Sequence, residues 1–197
     1  MQAKTFYGFE EILAQELKAL GAADVKIGNR MVEFYGDLGF MYKANYSLRT
    51  AIRIQKPITS FSVKTDYQLY ERLKKFHWEN YLDVDQTFMI DPTVFSDYFT
   101  HSHYAALKMK DAIVDRFKER TNRRPSIDKD NPDVRFNLHI SNDKVTVSLD
   151  SSGDSLHKRG YRTETGPAPI NEVLAAGLLL SAGWDGKGNY LDPMCGS

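Results

Sequence analysis

The alternation of apolar and polar positions divides the chain into short helices and strands. Phe9, Ile12, Leu13, Leu17 and Leu20 recur at helical spacing and Gly21 follows them, which predicts a helix over 9–20. Val25 to Phe34 reads as a hairpin turning near Gly28-Asn29, with Val32 and Phe34 alternating against Glu33. A second helix is expected from about Asp37 to Ser47, and a strand from Ala51 to Gln55 that ends at Pro57. Two helices laid between short strands make a small α+β layer of about 55 residues, which should gain stability mainly by leaning on a neighbour.

A second unit starts at Tyr67 to Phe76, where Leu69, Leu73 and Phe76 share one helical face and Asp66 is placed to cap it. Thr87 to Phe95 is strand-like, and Pro92 within it predicts an edge position or a bulge. The longest helix is expected over 102–120, its core side made by Ala106, Met109, Ile113, Val114 and Phe117. A polar, proline-containing loop spans 121–132. Val134, Phe136, Leu138 and Ile140 then alternate with polar residues, Asn142-Asp143 makes a turn, and Val145, Val147 and Leu149 alternate in return.

Past Asp150 the texture changes. Ser151-Ser152-Gly153-Asp154, Gly160, Gly166, Pro167 and Pro169 read as a linker, and Ile170 to Ser181 as a helix apolar nearly all round. Asn189-Tyr190-Leu191 reads as the start of a strand. A buried helix and a strand stub do not make a domain, so the expectation is a truncated one, continued by a large α/β domain.

Composition narrows the picture only a little. The 197 residues, 42% hydrophobic, suffice for one large or two small domains. Lys plus Arg and Asp plus Glu both number 26, so a polyanionic partner must be met by local clusters of charge. The lone Cys195 excludes an internal disulfide framework and a cysteine-based zinc site, which fits a reducing, cytoplasmic setting. The most apolar run, Val173 to Leu180, falls far below the roughly 18 residues of a membrane span, and the N-terminus lacks a signal-peptide pattern.

Three segments carry candidate chemistry. The tail Leu191-Asp192-Pro193-Met194-Cys195-Gly196-Ser197 reads either as a strand-to-loop turn that brings backbone close to a cofactor or as an ordinary turn. Between His101 and Pro125 seven Lys or Arg residues stand against three acids. Asp111, Asp115 and Glu119 form an acidic stripe expected on the exposed side. The positive charge therefore gathers at the helix ends, around His101, Ser102, His103, Tyr104 and Lys108 in front, and at Arg120, Arg123 and Arg124 behind. A solvated, salt-bridged helix is the competing reading. His157-Lys158-Arg159-Gly160-Tyr161-Arg162 suits either phosphate contact with stacking or ion pairs that fix a hinge. The five histidines lack metal-ligand spacing, and Trp78 and Trp184 are expected in packing roles.

Several blocks in one order resemble the THUMP-domain class of S-adenosylmethionine (SAM) dependent RNA methyltransferases, most of all the bacterial 23S rRNA guanine-N2 methyltransferases. They are Lys110 to Asp115, Asp130 to Arg135, Ser152 to Arg162, Ala168 to Glu172 and Asp192 to Ser197. The resemblance covers essentially the whole chain. It implies a ferredoxin-like domain over 1–56, a THUMP RNA-binding domain over 57–165, and from 166 the first helix and strand stub of a Rossmann-like methyltransferase domain. It implies that Asp192, Pro193, Met194, Cys195, Gly196 and Ser197 begin the SAM loop, while the base-holding residues lie beyond Ser197. It favours RNA at the two helix ends, Ser102, Tyr104 and Lys108 in front and Arg120, Arg123 and Arg124 behind; Lys158, Arg159 and Arg162 are added as candidate contacts on their cationic pattern alone. The implied substrate is structured RNA, with 23S rRNA foremost. The rival activities are a tRNA guanine-N2 or adenine-N6 methyltransferase, or a non-catalytic RNA-binding module. Neither a membrane, a metal nor an obligate protein partner is expected.

Overall fold

The computed structural model describes residues 1–160 and 169–193 of the chain. Among the described residues eight strands and five α-helices follow one another as β1 (Gln2–Lys4), α1 (Glu10–Leu20), β2 (Ala23–Gly28), β3 (Met31–Tyr35), α2 (Leu38–Ser47), β4 (Arg53–Ser62), α3 (Asp66–Lys75), β5 (Thr87–Phe95), α4 (Ser102–Thr121), β6 (Ser126–Ile127), β7 (Val134–Ser141), β8 (Lys144–Asp150) and α5 (Glu172–Ser181). They form two compact units, Met1–Gln55 with Ser151–Ser197, and Lys56–Asp150.

In the first unit the strand order is β2-β3-β1-β4, every neighbouring pair antiparallel, with α1 and α2 as the two crossovers. That is the ferredoxin-like arrangement. Leu13, Ala14 and Leu17 of α1 pack with Ala3, Val32, Phe34, Met41, Ala44 and Ile54, all buried. Gly21, left-handed at φ 99°, stops α1, and the N–H groups of Gly21 and Ala22 close its last turn on Lys18 and Leu17. The hairpin turns at Asn29-Arg30, with Gly28 opposite Met31 and Arg30 at φ 56°. Asp37 caps α2 by accepting from the Phe40 N–H at 2.7 Å.

Three expectations change here. Gln2–Lys4 is a strand that its own three residues do not announce; β3 and β4 on either side define it. β4 runs through Pro57 to Ser62 instead of ending there. Its pairing with β1 stops at Gln55, so the missing proline N–H deprives β1 of nothing. The polar stretch after Asp150 is no free linker. The Ser151 N–H donates to Ile54 O at 3.0 Å, Ser152 Oγ accepts from the Ile54 N–H at 2.8 Å, and the Leu156 N–H donates to Ile52 O at 2.8 Å. Leu156 is buried in the first core, so 151–160 makes its contacts with the first unit, although the sequence groups it with 57–165.

In the second unit the remainder of β4 neighbours β8, followed by β7, β5 and β6. β5 and β7 are parallel, a pairing that needs a long crossover, and α4 supplies it. β7 and β8 form the expected hairpin, Ser141 facing Lys144 across Asn142-Asp143, and Phe136, Leu138, Ile140, Val145 and Val147 are fully buried. Pro92 is in register with Leu138 of β7, and β6 pairs only with Thr87 and Phe88, so at Pro92 the other edge of β5 has no partner strand among the described residues. Thr65 caps α3, and Asp66 is its first helical residue rather than its cap. On α4 the buried residues are Ala105, Met109, Ala112, Ile113 and Phe117, while Ala106 and Val114 are only half-buried. Trp78 is fully buried, and its Nε1–H donates to Leu73 O at 2.7 Å.

α5 is capped by Asn171, which accepts from Val173 and Leu174, and it starts two residues later than its apolar run. Asn189–Asp192 is not strand: Leu191 is 85% exposed and pairs with no strand among the described residues. A strand exists only against a partner, and apolar pattern alone does not provide one.

Candidate RNA-binding surface

The front of α4 brings two aromatic-cationic pairs to the surface of the second unit. Tyr104 and Tyr98 are both exposed, and the ammonium groups of Lys108 and Lys64 lie 5.2 and 5.5 Å from their respective ring centres. Lys108 is held above the ordinary range of an ammonium group, first by the Tyr104 hydroxyl and less by Asp111 and Asp66. A cavity of about 300 Å³ opens between them, lined by Asp66, Tyr98, Phe99, Thr100, His101 and Tyr104 among others. The loop that presents Tyr98 is pinned. Ser96 Oγ donates to Asn142 O and accepts from the N–H groups of Tyr98 and Phe99, and the Phe99 ring is buried in the core.

Sequence reasoning finds Ser102, Tyr104 and Lys108, which the structure leaves exposed or half-buried here. It misses Lys64 and Tyr98. No local pattern marks them, because a β5–α4 loop and the segment before α3 bring them together.

The back of α4 differs from expectation. Arg116 donates from Nε and Nη2 to the two Glu79 oxygens at 2.8 and 2.7 Å, and from Nη1 to Lys74 O at 3.2 Å. Arg120 shares the same Glu79, and Arg123 pairs with Asp85. Glu79 is held at about 2, chiefly by the hydrogen bonds from Arg116. Of the three rear arginines in the sequence reading, only Arg124 is exposed with no ion pair among the described residues.

The acidic stripe is likewise committed. Asp115 accepts from the Tyr70 hydroxyl at 2.7 Å and Glu119 from Lys74 at 2.5 Å, so both meet α3 rather than open solvent. Asp111 pairs with Lys110 at 2.7 Å.

In the first unit Lys158 is exposed, whereas Arg159 donates to Leu48 O at 2.7 Å and Asn45 O at 2.6 Å. Arg159 thus caps the end of α2, within the same unit and through carbonyls instead of carboxylates. Arg162 lies outside the described residues, as do Met194, Cys195, Gly196 and Ser197; of the tail, Asp192 and Pro193 are described, and both are exposed. Among the described residues no three His, Cys, Asp or Glu side chains are grouped to hold a metal ion. None of the described helices is long and apolar enough to cross a membrane.

Comparison with known proteins accounts for this layout. Residues 1–55 match the RlmL ferredoxin-like domain, 63–150 the THUMP domain, and 159–197 the RMKL-like methyltransferase domain. The chain carries a ferredoxin-like domain, a THUMP domain and the match to a methyltransferase domain in that order. It is 46% identical over 194 residues to the ribosomal RNA large subunit methyltransferase K/L of Syntrophotalea carbinolica, covering 96% of this chain and 27% of that protein. Among solved structures it resembles a predicted N6-adenine-specific DNA methylase from Listeria monocytogenes, with 33% identity, TM-score 0.77, and coverage of 91% of this chain and 47% of that one. It also resembles SMU.472, described as a methyltransferase and complexed with SAH, at 30% identity and TM-score 0.78, with coverage of 93% and 48%. This THUMP-domain chain therefore spans about a quarter of the curated relative and just under half of the solved ones.

Proposed function

We propose that the protein to which these residues belong transfers a methyl group from SAM to the exocyclic N2 of a guanine in large-subunit rRNA, in the cytoplasm, and that residues 56–150 bring the RNA to it. The succession of three domain types, together with 46% identity to an rRNA large subunit methyltransferase, carries this reading. SAM supplies the methyl group. In this proposal Asp192 to Ser197 begin the loop that holds it, supported by the SAH in the SMU.472 relative.

RNA is assigned to Ser102, Tyr104 and Lys108 with Lys64 and Tyr98, and to Arg124 at the other end of α4. Exposed rings offer stacking and the lysines offer phosphate contact. Asp66 lines the cavity floor, so phosphates belong at its lysine rims. Arg120 and Arg123 join only by exchanging Glu79 and Asp85 for phosphate, and Arg159 only through donors not given to α2. Lys158 and Arg162 stay in the assignment as flanking cations.

A second reading, adenine-N6 methylation, draws on the likeness to the Listeria N6-adenine-specific DNA methylase. Mass spectrometry of rRNA and tRNA from a strain lacking the gene separates the two. Loss of one N2-methylguanine from 23S rRNA is the expected result. Loss of a methyl from adenine, or from tRNA alone, would overturn the assignment.

A further inference from the structure

The first unit carries an aromatic stripe that the RNA assignment above does not use, beside a cation that it does. α2 buries only Met41 and Ala44, and another side of it shows Leu38, Tyr42 and Tyr46, which are 58%, 64% and 86% exposed. Residues four apart stand one above another on a helix, so these three form one stripe. Beside it a groove of about 550 Å³ is lined by Tyr42, Asn45, Tyr46, Leu156 and Arg159. Among the described residues no carboxylate lines it. The Arg159 guanidinium is held in place by the Leu48 and Asn45 carbonyls and pairs with no acid among the described residues. Lys158 is exposed next to it in the chain.

The ligand chemistry follows from these features. Rings four residues apart, about 6 Å along the axis, offer flat apolar faces one above the other. A guanidinium fixed beside them by backbone carbonyls calls for an anion. Duplex RNA presents phosphates but hides the faces of its bases, whereas an unpaired strand presents both. An acidic peptide would satisfy the charge and leave the spaced rings without use. We propose that Tyr42, Tyr46 and Arg159 form a stacking platform for an unpaired RNA segment. The proposal rests on the reading that the chain binds RNA, and adds a site and a strand class to it.

The test uses the 197-residue chain with two probes, a short oligouridylate carrying 5-iodouridine and a short RNA duplex. Stacking on an aromatic ring contributes about 1–3 kcal/mol per base. Replacing both rings (Tyr42→Ala with Tyr46→Ala) should therefore weaken single-strand binding by about tenfold or more. Duplex affinity should hold, and Tyr42→Phe with Tyr46→Phe should retain single-strand binding. Irradiation of the iodinated strand should cross-link Tyr42 or Tyr46. Unchanged single-strand affinity in the double alanine variant, or cross-links solely elsewhere, overturns the platform. If that variant is unchanged while Lys108→Glu still weakens duplex binding, the platform fails and the RNA reading stands. If the wild-type chain binds neither probe, the RNA reading fails and takes the platform with it. A double alanine variant altered only in its sedimentation makes the stripe a protein contact, which also overturns the proposal.

Discussion

The Phe9 ring occupies the space over Gly177: a Cβ placed on that glycine would lie 2.1 Å from Phe9 Cε2. Phe9 lies just before α1 and Gly177 in the middle of α5, so this contact helps to seat α5 within the first unit, together with its contacts to 156–158. Gly177→Ala should gain about 1 kcal/mol in helix propensity, yet forcing a methyl into the ring costs about 1–3 kcal/mol. The clash is deep enough that the loss should win. We expect a lowered melting temperature and faster amide exchange in α5. Adding Phe9→Ala should relieve the clash, so the double variant should be less destabilised than the two single losses summed.

Glu79 gathers Arg116 and Arg120, and its depressed pKa is a statement about stability. A carboxyl held at about 2, against 4.5 when free, contributes stability that is fully present above 4.5 and is lost as pH falls toward 2. The side chain is 33% exposed, so solvent screening cuts the contribution to about 1–2 kcal/mol. Urea melts at neutral pH and near pH 3 should show this loss in the wild type and much less of it in Glu79→Gln. That variant should also be weaker at neutral pH, because Arg116 is only 12% exposed and loses its partner. Equal pH dependence in both proteins would show that the acid loss lies elsewhere.

RNA affinity should depend steeply on salt, each phosphate contact adding roughly 0.7–0.9 to the magnitude of the log–log slope. Lys108→Glu and Arg124→Glu should each flatten that slope. Arg123→Glu should flatten it less, since Arg123 is already paired with Asp85. Binding titrations at several salt concentrations measure this, and a larger effect at Arg123 than at Arg124 would reverse the assignment.

Residues 1–197 by themselves should hold no SAM at micromolar concentration. Tyr190 and Leu191 are exposed, Leu178 of α5 is half-exposed, and Asn189–Asp192 joins no sheet among the described residues. A nucleotide-type pocket in such folds needs the loop, the following helix and a neighbouring strand together. Titration calorimetry with SAM is the check, and micromolar binding would contradict the expectation.

What the sequence determined by itself is whatever repeats locally. α1, α4 and the β7–β8 hairpin follow from a 3.6- or 2-residue apolar period with turn residues at their ends, because burying one face of an element selects that period. The order of the family blocks similarly leads to the three matched domains. Tertiary structure decided the rest. β1 is a strand only because β3 and β4 flank it, and Ser151–Ser152 are ordered by the backbone of Ile54, about a hundred positions away. Arg120 and Arg123 read as free cations in sequence, yet Glu79 and Asp85, some forty residues upstream, engage them. Lys64 and Tyr98 join the candidate RNA surface by the same long-range route. Hydrogen bonds and ion pairs form between neighbours in space, and a separation of forty to a hundred residues leaves no periodic trace in the chain.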